Sequence, residues 1–146
     1  MSSEKIEAAL IFEVLGKPPE HLIESLEEII KQIGSEKGIS IKEKTVHEPI
    51  PVKENEEIFT SFAEIVAEFE DAGKLLMVLF KYMPAHIEVI YPEKITLKNN
   101  EINEVMNEIA RRLHAYDEVA RVIQYEKSVL ETKLKDVLSK DKKKED

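Results

Sequence analysis

His86 and Glu88 stand two residues apart in an alternating run that ends at Tyr91, so both side chains emerge on one side of a strand. Two more carboxylates, Glu64 and Glu68, share one parity in a longer alternating run from Ile58 to Glu70. An imidazole with carboxylates is sound ligand chemistry for zinc or manganese, and the same groups can exchange a proton as acid and base. Whether the four converge depends on which strands are neighbours. An interfacial ion-pair network or a solvated face uses the same residues without chemistry, and that is the expected state of the cluster.

The other candidate groups are plainer. His21 falls in a first helical turn, while His47 and His114 have no acidic or histidine neighbour at ligand spacing, so all three read as ordinary surface or half-buried histidines. Arg111 and Arg112 can grip a carboxylate or phosphate, but on a helix the expected partners are Glu108 or Asp117. The chain has no cysteine, which removes disulfides, thiolate metal sites and cysteine nucleophiles together. Its four glycines, Gly16, Gly34, Gly38 and Gly73, form neither a phosphate-cradling loop nor a dinucleotide fingerprint, and no serine sits in a nucleophile elbow. A non-enzymatic protein without a cofactor is expected.

Charge narrows the partners further. The formal net charge is −9, and it is unevenly placed: residues 1–73 hold seven Lys/Arg against seventeen Asp/Glu, residues 74–146 fourteen against thirteen. Neutralising phosphates needs a basic face, so nucleic acid is not an expected partner. The Lys/Glu/Ile-rich composition resembles that of thermophile proteins, in which surface charge networks gain value with temperature. The first residues lead straight into a strand pattern without a signal-like apolar stretch, and the longest strongly apolar run, Leu75 to Phe80, is far too short to span a bilayer. The expectation is a cytoplasmic protein with no membrane contact.

The elements that must position these residues follow from periodicity. Ile6 to Leu15 alternates as a strand with one buried face. After Gly16-Lys17-Pro18-Pro19, the residues Leu22, Ile23, Leu26, Ile29, Ile30 and Ile33 recur at helical spacing, and Gly34 is read as the stop. Ile39 to Val52 is extended, with Pro49 and Pro51 marking an edge strand with an irregular end. Ile58 to Glu70 is the clearest strand, Lys74 to Met83 favours helix, and His86 to Tyr91 closes the series. The order predicts an α+β fold on the ferredoxin-like βαββαβ plan over residues 1–98, an antiparallel sheet with helices on one face. The open face would then show Ile11, Phe62, Val66 and Ile90 among acidic residues, more apolar surface than a solvated sheet face usually carries.

A long C-terminal helix is predicted over residues 99–138, capped by Asn99 or Asn100 and followed by a charged, disordered tail over 139–146. Ile102, Ile109, Tyr116, Ile123, Leu130 and Val137 recur every seven residues. Met106, Leu113, Ala120, Lys127 and Leu134 follow four residues after each of the first five. This is a coiled-coil heptad with Lys127 as its single polar interruption. A helix of that length outreaches a domain of about 100 residues, whose radius of gyration is about 13 Å. Two shorter helices broken near Asp117 or Lys127 are the competing possibility. The sequence therefore predicts a homo-oligomer, or a protein that docks a protein partner, acting as an assembly or adaptor module. Its interface would include Ile11, Phe62, Val66, Ile90, Ile123, Leu130, Leu134 and Val137. The alternative is a regulatory domain holding a small molecule or metal at a subunit interface near Glu64, Glu68, His86 and Glu88.

Overall fold

The computed structural model describes residues 4–145 and has the element order β1 (Ile6–Gly16), α1 (Pro19–Ser35), β2 (Ile39–Val46), β3 (Ile50–Val52), β4 (Asn55–Phe69), α2 (Ala72–Tyr82), β5 (His86–Tyr91) and α3 (Asn99–Glu145). It is an α+β protein with one antiparallel five-stranded sheet. The sheet order is β2-β4-β1-β5. β3 also pairs with β4, continuing the line of β2 after the break at His47 to Pro49. Pro51 is tolerated there because an edge position asks for no second ladder donor.

The chain divides into two compact units, Met1–Thr96 and Leu97–Asp146. In the first, the period-two pattern sorts each central strand into two faces. Ala8, Leu10 and Phe12 of β1 and Ala63, Ile65, Ala67 and Phe69 of β4 are buried on one of them. Leu26, Ile30 and Ile33 of α1 and Leu75 and Val78 of α2 complete that core. Each fully buried Leu, Ile or Phe contributes roughly 1.5–3 kcal/mol over its exposed state, so this layer decides the stability of the unit.

Local chemistry sets the helix limits. Pro19 suits the first turn of α1, where a missing N–H removes nothing from the ladder. The expected stop at Gly34 is corrected: α1 runs on to Ser35. A Cβ on Gly34 would lie 3.3 Å from Ile41 Cδ1, so the glycine is there to let α1 close on β2. The reversal is made instead at Gly38, whose φ of +82° favours a residue without a Cβ. Asp71 caps α2 by accepting from Lys74 N at 2.9 Å.

One irregularity marks the β2 edge. Ile41 pairs with Ala67 and Glu43 with Val66, so Lys42 is an extra residue bulged out of the ladder. Its ammonium reaches Glu68 at 2.9 Å.

The second unit is α3, 47 residues without a break, roughly 70 Å long at 1.5 Å per residue. No interruption occurs at Asp117 or Lys127. The helix continues through the segment expected to be a disordered tail, as far as Glu145; Asp146 lies outside the described residues. Lys142, Lys143 and Lys144 in its last turn favour the negative end of the dipole. At the other end Ile102 N donates to Lys98 O at 3.0 Å, so Asn99 and Asn100 stand inside the first turn instead of capping it.

Candidate interaction surfaces

The second face of the sheet is built on β1 at its centre. Glu13 lies opposite Phe62, Ile11 opposite Glu64, Ala9 opposite Val66 and Glu7 opposite Glu68. Ile11 is therefore diagonal to both Phe62 and Val66, within reach of long side chains. These three form a short apolar ridge, with Phe62 exposed and the other two half-buried. Ile90, 50% exposed, is not part of it: it sits beyond Glu88 near the far end of β5.

The same register separates the four candidate ligands. His86 and Glu64 flank Ile11 from opposite sides, two strand spacings or about 9–10 Å apart in backbone. Glu88 lies across Ala9 from Val66, and Glu68 faces Glu7. Both β4 carboxylates look the other way, toward β2. Glu64 meets His47 Nε2 at 3.1 Å, and Glu68 is held by Lys42 at 2.9 Å and Lys5 at 3.5 Å. The hydrogen bond from Lys42 holds the Glu68 carboxyl below the ordinary carboxylate range, and its counterpart raises the Lys42 ammonium. Among the described residues no group of three His, Asp or Glu is placed to hold a metal ion.

Elsewhere on the first unit, charges act as fasteners. Glu36, just after α1, accepts from Lys81 Nζ at 2.6 Å and from Tyr82 OH at 2.8 Å, which ties the ends of α1 and α2 together. The bond from Lys81, then that from Tyr82, lowers the Glu36 carboxyl; burial, then that same bond, raises the Tyr82 hydroxyl. A cleft of about 790 Å³ runs between α1 and β2. Ile30, Gly34, Ile41 and Val46 floor it, and its rim mixes signs, with Lys31 and Lys44 beside Glu27 and Glu43.

On α3, taken by itself, the seam lies open. Leu113 is 62% and Leu130 66% exposed, and Ile123, Leu134 and Val137 are comparable. The remaining surface is organised by pairs along the helix. Glu108 takes both Arg111 and Arg112, Asp117 takes Arg121 at 3.0 Å, and Lys127 approaches Glu131 at 4.0 Å. Of the two acids expected for the arginine pair, Glu108 is the one used.

A model of the MJ0538 family matches residues 7–143, from β1 through nearly the whole of α3. The chain belongs to that family. It is similar to Uncharacterized protein MJ0538 of Methanocaldococcus jannaschii, 34% identical over 94 residues. That alignment takes in 64% of this chain and 35% of the relative, so the matched part spans about a third of the relative's length. No solved structure matches. The MJ0538 model runs through both units. No helix among the described residues is long and apolar enough to cross a membrane.

In this MJ0538-family chain the residue that pattern reading missed is His47. In the sequence it has no acidic or histidine neighbour at ligand spacing, yet its ring stacks on Phe62 with centroids 4.1 Å apart while bonding Glu64, and its carbonyl accepts from Ser61 Oγ at 2.6 Å. His47 and Glu64 stand seventeen positions apart and are brought together by the β2-β4 pairing, so no local spacing signals the contact. The imidazole covers part of Phe62, which lessens the bare apolar area of the sheet face.

Proposed function

We propose that the chain is an assembly module whose copies associate through α3, with the ridge of Ile11, Phe62 and Val66, and Ile90 beyond it, as further contact surface. The observation that carries this reading is the uninterrupted helix from Asn99 to Glu145 with an apolar residue at ten of the eleven seam positions between Ile102 and Val137. Leaving such a stripe in water forgoes roughly 1.5–3 kcal/mol for each large side chain. A heptad of this length is the pattern by which helices cover one another. Ile123, Leu130, Leu134 and Val137 are the proposed contacts in its C-terminal half.

The first unit reads as ferredoxin-like. One helix lies between β1 and β2, another between β4 and β5, and the order β2-β4-β1-β5 with all neighbours antiparallel supports that plan, with β3 as an addition to it. Fold of this kind carries no activity by itself, so the functional reading stands on surfaces.

Light scattering across a concentration series tests the proposal. The unaltered chain is expected to run as a multiple of its 16.8 kDa mass, and the double variant Leu130→Lys, Leu134→Lys as a monomer that keeps its sheet. A unaltered chain that stays monomeric at high concentration ends the proposal.

A further inference from the structure

We propose that two copies of α3 pair antiparallel, aligned so that Lys127 of each lies over Tyr116 of the other. This rests on the self-association reading and adds its geometry. In heptad terms Met106, Leu113, Ala120, Lys127 and Leu134 take the a positions, and Ile102, Ile109, Tyr116, Ile123, Leu130 and Val137 take d.

A parallel, in-register pair sets every a residue against itself. Lys127 then meets Lys127, and Glu126 at g meets Glu131 at the following e of the other copy, on both sides. Leucine at a with isoleucine at d is also the arrangement that turns parallel helices away from a two-stranded coil. Leu113 and Leu134, set beside Ile102, Ile109 and Ile123, follow it.

Turning one helix end for end makes a face d. With the midpoint between Arg121 and Val122, close to the middle of the 47-residue helix, Met106 meets Val137, Leu113 meets Leu130, Ala120 meets Ile123 and Leu134 meets Ile109, each twice. The same alignment opposes Lys127 and Tyr116, the two seam residues that carry a polar group. A lysine stem packs along an aromatic ring while its ammonium stays at the ring face or reaches water, so neither polar group is stranded in an apolar layer. A shallow hollow of about 330 Å³, lined by Ile123, Glu126, Lys127, Leu130, Glu131 and Leu134, lies at the level of the incoming Tyr116 ring, where the phenol hydroxyl can donate to either glutamate. Two meetings are unfavourable: Ile102 with Asp141 toward each end of the pair, and Arg112, which is half-buried, with the exposed Lys133. Arg112 already holds Glu108 at 3.1 Å, and a solvated like-charge pair is screened by salt, so burial of the apolar layers outweighs both.

Because the natural chain has no cysteine, any introduced thiol is unique. Full-length Leu113→Cys and Leu130→Cys proteins, mixed, left to exchange subunits and oxidised, are expected to form the mixed disulfide at least tenfold more than either protein forms a homodisulfide alone. Met106→Cys with Val137→Cys should repeat that result and guards against one damaging substitution. Homodisulfides of Leu113→Cys alone would mean parallel helices, and preferential coupling of Leu113→Cys with Ile123→Cys a shifted register; either overturns the proposal. If no pair couples but light scattering still shows an oligomer, the pairing is wrong and self-association stands. If the unaltered chain is a monomer, the self-association reading itself has failed.

Discussion

Helices α1 and α3 carry the same kind of stripe, and only that of α1 is closed within its own unit. In α1 the residues Leu22, Leu26, Ile30 and Ile33 are buried, and a length of roughly 25 Å suits the strands it lies on. In α3 the stripe is several heptads longer, and its leucines are about two-thirds exposed on the helix by itself. Both have charged opposite faces, and both satisfy the helical period. The difference teaches that period fixes which side of a helix needs cover, whereas the elements packed beside it in its own unit fix whether that unit supplies it.

The sharpest way to break this comparison is to shorten one leucine on each helix. Leu26→Ala should cost about 2–5 kcal/mol in urea unfolding at every protein concentration, as for any large-to-small change in a closed core. Leu134→Ala should leave the dilute protein within about 0.5 kcal/mol of the parent, as surface changes do, and lower the melting temperature only where the parent associates. Equal, concentration-independent losses would mean that each copy covers its own α3 stripe, and the contrast would vanish.

A smaller effect separates two glycines at the end of α1. At Gly38 a Cβ would lie 2.6 Å from Glu70 Oε2 and 3.2 Å from Lys74 Cε, on a backbone at φ +82°. Gly38→Ala should therefore cost on the order of 1–2 kcal/mol, the scale of forcing a side chain into left-handed backbone. Gly34→Ala gains about 1 kcal/mol of helix propensity against a 3.3 Å approach to Ile41, so thermal unfolding should place it close to the parent. A large loss at Gly34 would show that α1 cannot give even a few tenths of an ångström at β2.

The smallest effect is in pH. The Glu36 carboxyl is lowered by Lys81 and Tyr82, so its contribution is present above the unfolded carboxylate pKa and is lost as pH falls through its lower folded value. Lys81 is raised by Glu36, so its share is present below the unfolded lysine pKa and is lost as pH rises through the raised one. Glu36→Gln should flatten both ends of the stability profile, and added salt should shrink the difference, since Lys81 is exposed and Glu36 only partly covered. An unchanged acid limb would assign acid sensitivity to Glu68 or other carboxylates.

Much of this architecture is legible in the sequence because burial imposes a period. Ile6 to Gly16 and Ser61 to Phe69 alternate since each has one face on the core, and the α3 heptad is visible because neither Gly nor Pro breaks the helix and only Lys127 departs from its apolar seam. What escapes is whatever depends on neighbours distant along the chain. Gly34 looks like a helix stop until Ile41 is known to lie against it, and His47 looks isolated until β2 is laid beside β4. His86 and Glu64 share a face as expected, but only the register puts Ile11 between them. Parity tells which side a residue takes; it does not tell how far along the sheet a companion stands.

The inserted Lys42 has a further consequence for what the sheet can do in a crowd. A foreign strand laid along β2 would find its amide ladder out of step at the bulge and would have to push aside the cations of Lys42 and Lys44. That border is thus closed to templated growth, and runaway stacking into fibrils is blocked there by the same residue that clasps Glu68.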